Sequence, residues 1–252
     1  MKLHLFHFSP HGIVRAYSHL LAGRRLCRAT GIALRPLIPE SVNSMTAAYN
    51  LYRTLHAANL PYPGTIIDVG ANVSQMTRLL LGMNPDARVL SFEPNPKLSP
   101  IGEINRIALS DTDGTADFFI PKDDAGWGTI EAGKGNISTA TTRYPVKTRR
   151  METLIDSGEI SWNTLKHPIL VKIDTEGSEK RVLDGFGKYL GDISYLLIEV
   201  ENSEQRGHNY DLTALCLVLA GHGFDHSKIV YSCYDGPDAP AYSDILFWKT
   251  KE

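Results

Sequence analysis

The sequence predicts an α/β protein built on one mostly parallel sheet. Three observations carry that prediction. From Thr65 onward, short apolar runs alternate with helical patterns, as strands buried on both faces and joined by helices do. The first run, Thr65–Val69, passes directly into a tight turn, Gly70–Ser74, and then a helical stretch, which is where an open α/β sheet binds a nucleotide-like ligand. At 252 residues and 42% hydrophobic content, the chain fills one sizeable core. The expected organisation is a main domain over residues 64–252, preceded by a basic, helical appendage over residues 1–63.

Between Pro36, Pro39, Pro61 and Pro63 lies one helical stretch, Ser44 to Asn59, in which Met45, Ala48, Tyr49, Tyr52 and Leu55 recur at helical spacing behind a Ser44 cap. It reads as a helix covering the sheet. Thr65–Val69 is the first strand, and a helix starts from about Ser74. Further strands are expected at Arg88–Phe92, Ile104–Leu109, Ile169–Ile173 and Tyr195–Val200, with a helix from Ser178 after the fourth. A helix over Leu212–Ala220 leads into a closing hairpin-like pair, Ile229–Tyr234 and Asp244–Trp248. The irregular middle, Asp123 to Asn136, places four glycines around Trp127 and reads as a surface loop or a lid.

Charge is unevenly spread. Residues 1–39 carry six basic side chains and no acid, so the remainder carries −8 against −2 for the whole chain. The basic segment 13–35 reads as a solvated helix face, or as a contact for a membrane surface, nucleic acid or an anionic substrate. Cys27, Cys216 and Cys233 have neither zinc-site spacing nor a disulfide framework, which points to a reducing, cytoplasmic setting. The apolar stretches are too short or too interrupted by His and Arg for a membrane span or an ordinary signal peptide, so a soluble protein is expected.

The turn after the first strand has Asn72 and Gln75 where a dinucleotide-binding G-x-G-x-x-G turn needs glycine, so a dinucleotide is disfavoured. Gly70 permits the tight turn and close approach to a ligand. Asp68 either caps the loop's own amides or binds, through water, the amino group of a methionine moiety. Glu93 ends the second strand, where a carboxylate grips both ribose hydroxyls of a nucleoside. Asp174 follows the Ile169–Ile173 strand on the same sheet edge, and Glu179 opens the next helix in a structural role. Asp174 with Glu201 and Asn202 at the neighbouring strand end forms a hard-oxygen set for Mg²⁺, a metal that is not favoured because such carboxylates are common without one. His208, just beyond, suits a general base. Asn59–Leu60–Pro61–Tyr62 imitates a base-methylation signature but stands three residues before the first strand, and it reads as a helix exit into a proline turn.

Taken together, Ile67–Asn72, Phe92–Pro94, Ala108–Asp111, Val171–Glu179 and Asp244–Phe247 resemble the FkbM family of S-adenosylmethionine (SAM)-dependent methyltransferases, in that family's order and approximate spacing. The resemblance implies the class I, Rossmann-like methyltransferase fold: a three-layer sandwich whose mostly parallel seven-stranded sheet has an antiparallel last strand. It implies SAM as cofactor, contacted by Asp68, Gly70, Ala71, Asn72, Ser74, Glu93, Pro94, Ala108, Ser110 and Asp174. It also implies methyl transfer, often to a hydroxyl of a sugar, glycan or natural product, with Asp174, Glu201 and His208 as catalytic candidates. Three departures stand out, one being that the basic first 60 residues have no recognisable counterpart in the family. Ser74 replaces a usual glycine, and only eleven residues, Asn95–Asn105, join the second strand to the next strand end, where the family inserts a helix. The basic first segment keeps RNA as an alternative acceptor, and the short connection keeps a catalytically inactive binding module as another; neither is favoured.

Overall fold

The computed structural model describes residues 40–121, 128–131, 141–201, 212–234 and 240–250. The basic segment 13–35 lies outside them, as do His208 and Asn202. Helix α1 (Glu40–Ala57) opens the described chain and is followed by β1 (Thr65–Val69), α2 (Gln75–Leu80) and β2 (Arg88–Phe92). Next come β3 (Glu103–Asn105), β4 (Ala108–Leu109), β5 (Gly114–Pro121) and β6 (Thr141–Arg149), then α3 (Met151–Asp156), β7 (Ile169–Ile173), α4 (Glu179–Phe186) and β8 (Tyr195–Glu201). The chain closes with α5 (Leu212–Gly221), β9 (His226–Tyr234) and β10 (Pro240–Trp248).

Seven strands form the main sheet in the order β3-β2-β1-β7-β8-β10-β9. β1 pairs in parallel with β2 and β7, β7 pairs in parallel with β8, and β10 runs antiparallel to both of its neighbours. This is the class I arrangement, with its last strand reversed. Because successive strand residues face opposite sides, each strand feeds two cores. Ile67, Val69, Val171 and Ile173 pack with α3, α4 and α5 on one face. Ile66, Leu170 and Leu197 pack with α1 and α2 on the other. No helix among the described residues is long and apolar enough to cross a membrane.

Three elements differ from the sequence expectations. α1 begins at Glu40, so Ser44 lies inside the helix rather than capping it. The single strand expected over Ile104–Leu109 is split: β3 stays beside β2, while β4 leaves to pair with β6 in a separate three-stranded sheet, β4-β6-β5. The short connection before β3 forms no helix. Its carbonyls are met instead by side chains, with Arg106 donating to the Asn95 and Leu98 oxygens at 2.8 Å each and Ser91 Oγ donating to the Ile101 oxygen at 2.6 Å. The β5–β6 hairpin was not anticipated. Its polar, alternating residues bury only a small cluster around Phe118, Ile120 and Val146, too weak a pattern to separate from loop. Of the glycine-rich middle, only residues 128–131 are described, with Thr129 bridging to Phe119.

Candidate active site

A cavity of about 390 Å³ opens at the carboxyl edge of β1, β2, β7 and β8, the edge at which an open parallel sheet receives its ligand. One wall is the turn after β1. Gly70 has φ +71°, and a β-carbon there would sit 1.8 Å from the main-chain oxygen of Asp174, so this turn and the loop after β7 touch in a way only glycine allows. Asn72 and Ser74 also adopt positive φ, 50° and 57°. The left-handed backbone at Ser74 is the physical reason a glycine suits that position. Its hydroxyl recovers something by accepting a hydrogen bond from the Ile101 amide at 3.2 Å.

Glu93, buried at the tip of β2, lines the cavity beside this turn. Its two carboxylate oxygens accept the Asn72 and Asn95 main-chain N–H groups, each at 2.8 Å. Each oxygen keeps a further lone pair, enough for a pair of vicinal hydroxyls. Burial pushes the Glu93 carboxyl above its usual range, against the pull of those two amides and of Lys172 and Arg106. Pro94, Leu98, Ile107, Ala108 and Leu109 supply an apolar pocket next to it. A hydroxyl-gripping carboxylate beside an apolar slot fits the ribose and adenine of SAM.

Asp174 lines the opposite side, with 37% of its side-chain surface open. The loop that carries it is clamped by Glu179, whose Oε1 accepts the Thr175 amide at 3.0 Å, the Thr175 hydroxyl at 3.0 Å and the Gly177 amide at 2.8 Å. Burial raises the Asp174 carboxyl, but Lys172 Nζ at 3.0 Å and a hydrogen bond with Glu199 together hold it below the usual carboxylate range. Around it gather Glu176 and Glu199, whose oxygens lie with that of Asp174 within 4.8 Å of one another. Asp244 stands directly across from Glu199 on β10. Burial and the nearby charges lift Glu199 well above its usual range, and Glu199 hydrogen-bonds Asp174. Asp244 is pushed up to about 7, by burial first and by Asp174 second.

Of the ten positions expected to contact the cofactor, Gly70, Asn72, Glu93, Pro94, Ala108 and Asp174 line the cavity. The other four sit behind its wall. Asp68 accepts the Thr77 hydroxyl at 2.7 Å and pairs with Lys172. The Ala71 amide donates to the Phe92 oxygen, Ser74 holds Ile101, and the buried Ser110 donates its amide to the Arg149 oxygen. Glu201 is buried at the end of β8, outside the cavity lining, so the carboxylates gathered around Asp174 are Glu176 and Glu199. Sequence reasoning passed over Lys172, Glu199 and Asp244, and it did not foresee that Asn43 and Ser44 of α1 and Tyr242 of β10 line the same cavity.

The family model of the methyltransferase FkbM domain matches residues 68–225. The curated 2-O-methyltransferase NoeI of Sinorhizobium fredii (strain NBRC 101917 / NGR234) is 24% identical over 186 residues, 66% of this chain and 74% of its own. Among solved structures, the plantazolicin methyltransferase BpumL in complex with SAH superposes with a TM-score of 0.44 at 11% identity, over 84% of this chain and 86% of that chain. The precorrin-6y C5,15-methyltransferase of Geobacter metallireducens GS-15 superposes with a TM-score of 0.37 at 10% identity, over 80% and 88%.

Proposed function

The chain belongs to the FkbM family of SAM-dependent methyltransferases, and from that premise we propose that it methylates a hydroxyl group on a sugar, glycan or natural-product acceptor. The observation that carries this is the ionised carboxylate of Asp174, held at the cavity wall opposite Glu93. An oxygen nucleophile has to shed its proton as it is methylated, and a positioned carboxylate both orients the hydroxyl and receives that proton. The relation to a protein named as a 2-O-methyltransferase supports an oxygen acceptor.

When bound, SAM supplies a methyl group on a sulfonium that is its own leaving group, so no covalent enzyme intermediate is needed. Glu93 holds the ribose hydroxyls, and the apolar residues beside it take the adenine. Asp174 accepts a hydrogen bond from the acceptor hydroxyl, while Asn43 and Tyr242 shape the space the acceptor enters. Most of the rate then comes from alignment of oxygen, carbon and sulfur. His208, outside the described residues, is a second candidate for the proton. If His208→Ala keeps kcat within about threefold across pH 6 to 9, that residue has no such role.

The test is incubation of the full chain with SAM and a panel of oligosaccharides and polyhydroxylated small molecules, read by mass spectrometry. An O-methylated product that disappears with Glu93→Ala and with Asp174→Ala is the expected result. Methyl transfer confined to nitrogen acceptors would sink the hydroxyl assignment while leaving SAM as donor intact.

A further inference from the structure

Lys172 is the one charged residue in the strand Ile169–Ile173, and it is buried. Stability alone does not ask for it, because a buried ion pair is often matched or bettered by apolar packing. Its place in the sheet is more informative. Lys172 stands directly across from Asp68 in the β1–β7 register and points to the face covered by α1 and α2. From there its ammonium reaches three groups: Asp174 Oδ2 at 3.0 Å, Asp68 Oδ1 at 3.3 Å and the main-chain oxygen of Gly70 at 3.4 Å.

Those three belong to the two segments that face each other across the cavity wall. Gly70 begins the turn after β1, and the other oxygen of Asp68 is already fixed by Thr77 of α2. Asp174 begins the loop after β7, clamped from behind by Glu179. Glu199 and Asp244 face the same spot from β8 and β10, and with Lys172 and Asp174 they border a smaller space of about 90 Å³ beside the main cavity. Without Lys172, the buried Asp68 carboxylate, the half-buried Asp174 carboxylate and a carbonyl would converge with no cation between them, and the two segments would separate to admit water.

We propose that Lys172 is a positioning residue of the donor site: its buried ammonium ties the turn after β1 to the Asp174 carboxylate after β7 and so sets the spacing into which the donor fits. The proposal rests on SAM as donor, which family membership shows, and not on the hydroxyl acceptor, so it is tested without one.

The experiment is calorimetric titration of the full chain with SAM and with SAH, at a temperature where circular dichroism shows each variant fully folded. Lys172→Met is expected to weaken both ligands by about tenfold or more, as losing a charge-assisted hydrogen bond does. Both should weaken alike, since both ligands use the same turn. A lysine serving stability alone leaves the binding constant of fully folded protein unchanged, so wild-type affinity in Lys172→Met overturns the proposal, and so does a loss confined to one ligand. If Lys172→Met does not fold, the double variant Lys172→Met, Asp68→Asn removes the more deeply buried of the stranded charges, leaves the Asp174 carboxylate in place, and is compared with Asp68→Asn alone. Further weakening in the double variant supports the tie, and equal affinity overturns it.

Discussion

Glu93 accepts two main-chain N–H groups and still faces the cavity with a lone pair on each oxygen. Glu93→Ala therefore removes two charge-assisted bonds to the donor and loosens the turn at Asn72, and SAM affinity should fall by a factor on the order of 100, about 3 kcal/mol, by calorimetry. Gly70→Ala acts differently. With its β-carbon 1.8 Å from the Asp174 main-chain oxygen, the substitution forces backbone apart and should cost about 3 kcal/mol or more of stability in urea unfolding, with loss of SAM binding. Both positions were legible in the sequence, because a strand-turn-helix places its glycine and the next strand's carboxylate by chain order alone. Lys172 and Asp244 were not, since Asp68 and Glu199 stand across from them on other strands and only register reveals those pairings.

At the scale of elements, the β8–β10 pair sets Glu199 against Asp244, two carboxyls opposite one another across an antiparallel ladder. Burial first and the Asp174 charge second make Asp244 hold its proton up to about pH 7. A carboxyl raised in the folded state contributes stability that is fully present below its unfolded range and is lost as pH rises through about 7. Asp244→Asn should thus be stabilising relative to wild type at pH 8, on the order of 1 kcal/mol given its partial exposure, and not at pH 4, as thermal melts at the two values would show. Helix α1 is bound to the same face by Ala47, Ala48, Leu51 and Leu55 and by Asn50 Nδ2, which donates to the Val230 oxygen at 2.7 Å. Leu51→Ala should cost about 3 kcal/mol in denaturant unfolding. The sequence marked this helix by its apolar spacing, but not its contribution of Asn43 and Ser44 to the cavity, which depends on how the helix lies across the sheet.

Across the whole molecule, the sheet brings together Glu93 at the tip of β2, the Lys172 ammonium at the seam between β1 and β7, and the acids Asp174, Glu176, Glu199 and Asp244. A mostly parallel sheet was readable from the alternating apolar runs, because a doubly covered parallel sheet imprints that rhythm on a sequence, while its antiparallel last strand was implied by the family resemblance. The small β4-β6-β5 sheet was not readable, having too little core of its own to leave a pattern. Since Lys172 already neutralises Asp174 from within the fold, thorough chelation should leave SAM affinity unchanged, and a loss restored by Mg²⁺ would speak for a metal at the carboxylates. The central claim, that this cavity is the SAM site and Glu93 its ribose anchor, is tested most directly by calorimetric titration of SAM into the wild-type chain and into Glu93→Ala. Saturable binding by the wild type that weakens by about 100-fold in the variant is the predicted result; equal binding by both proteins would contradict it.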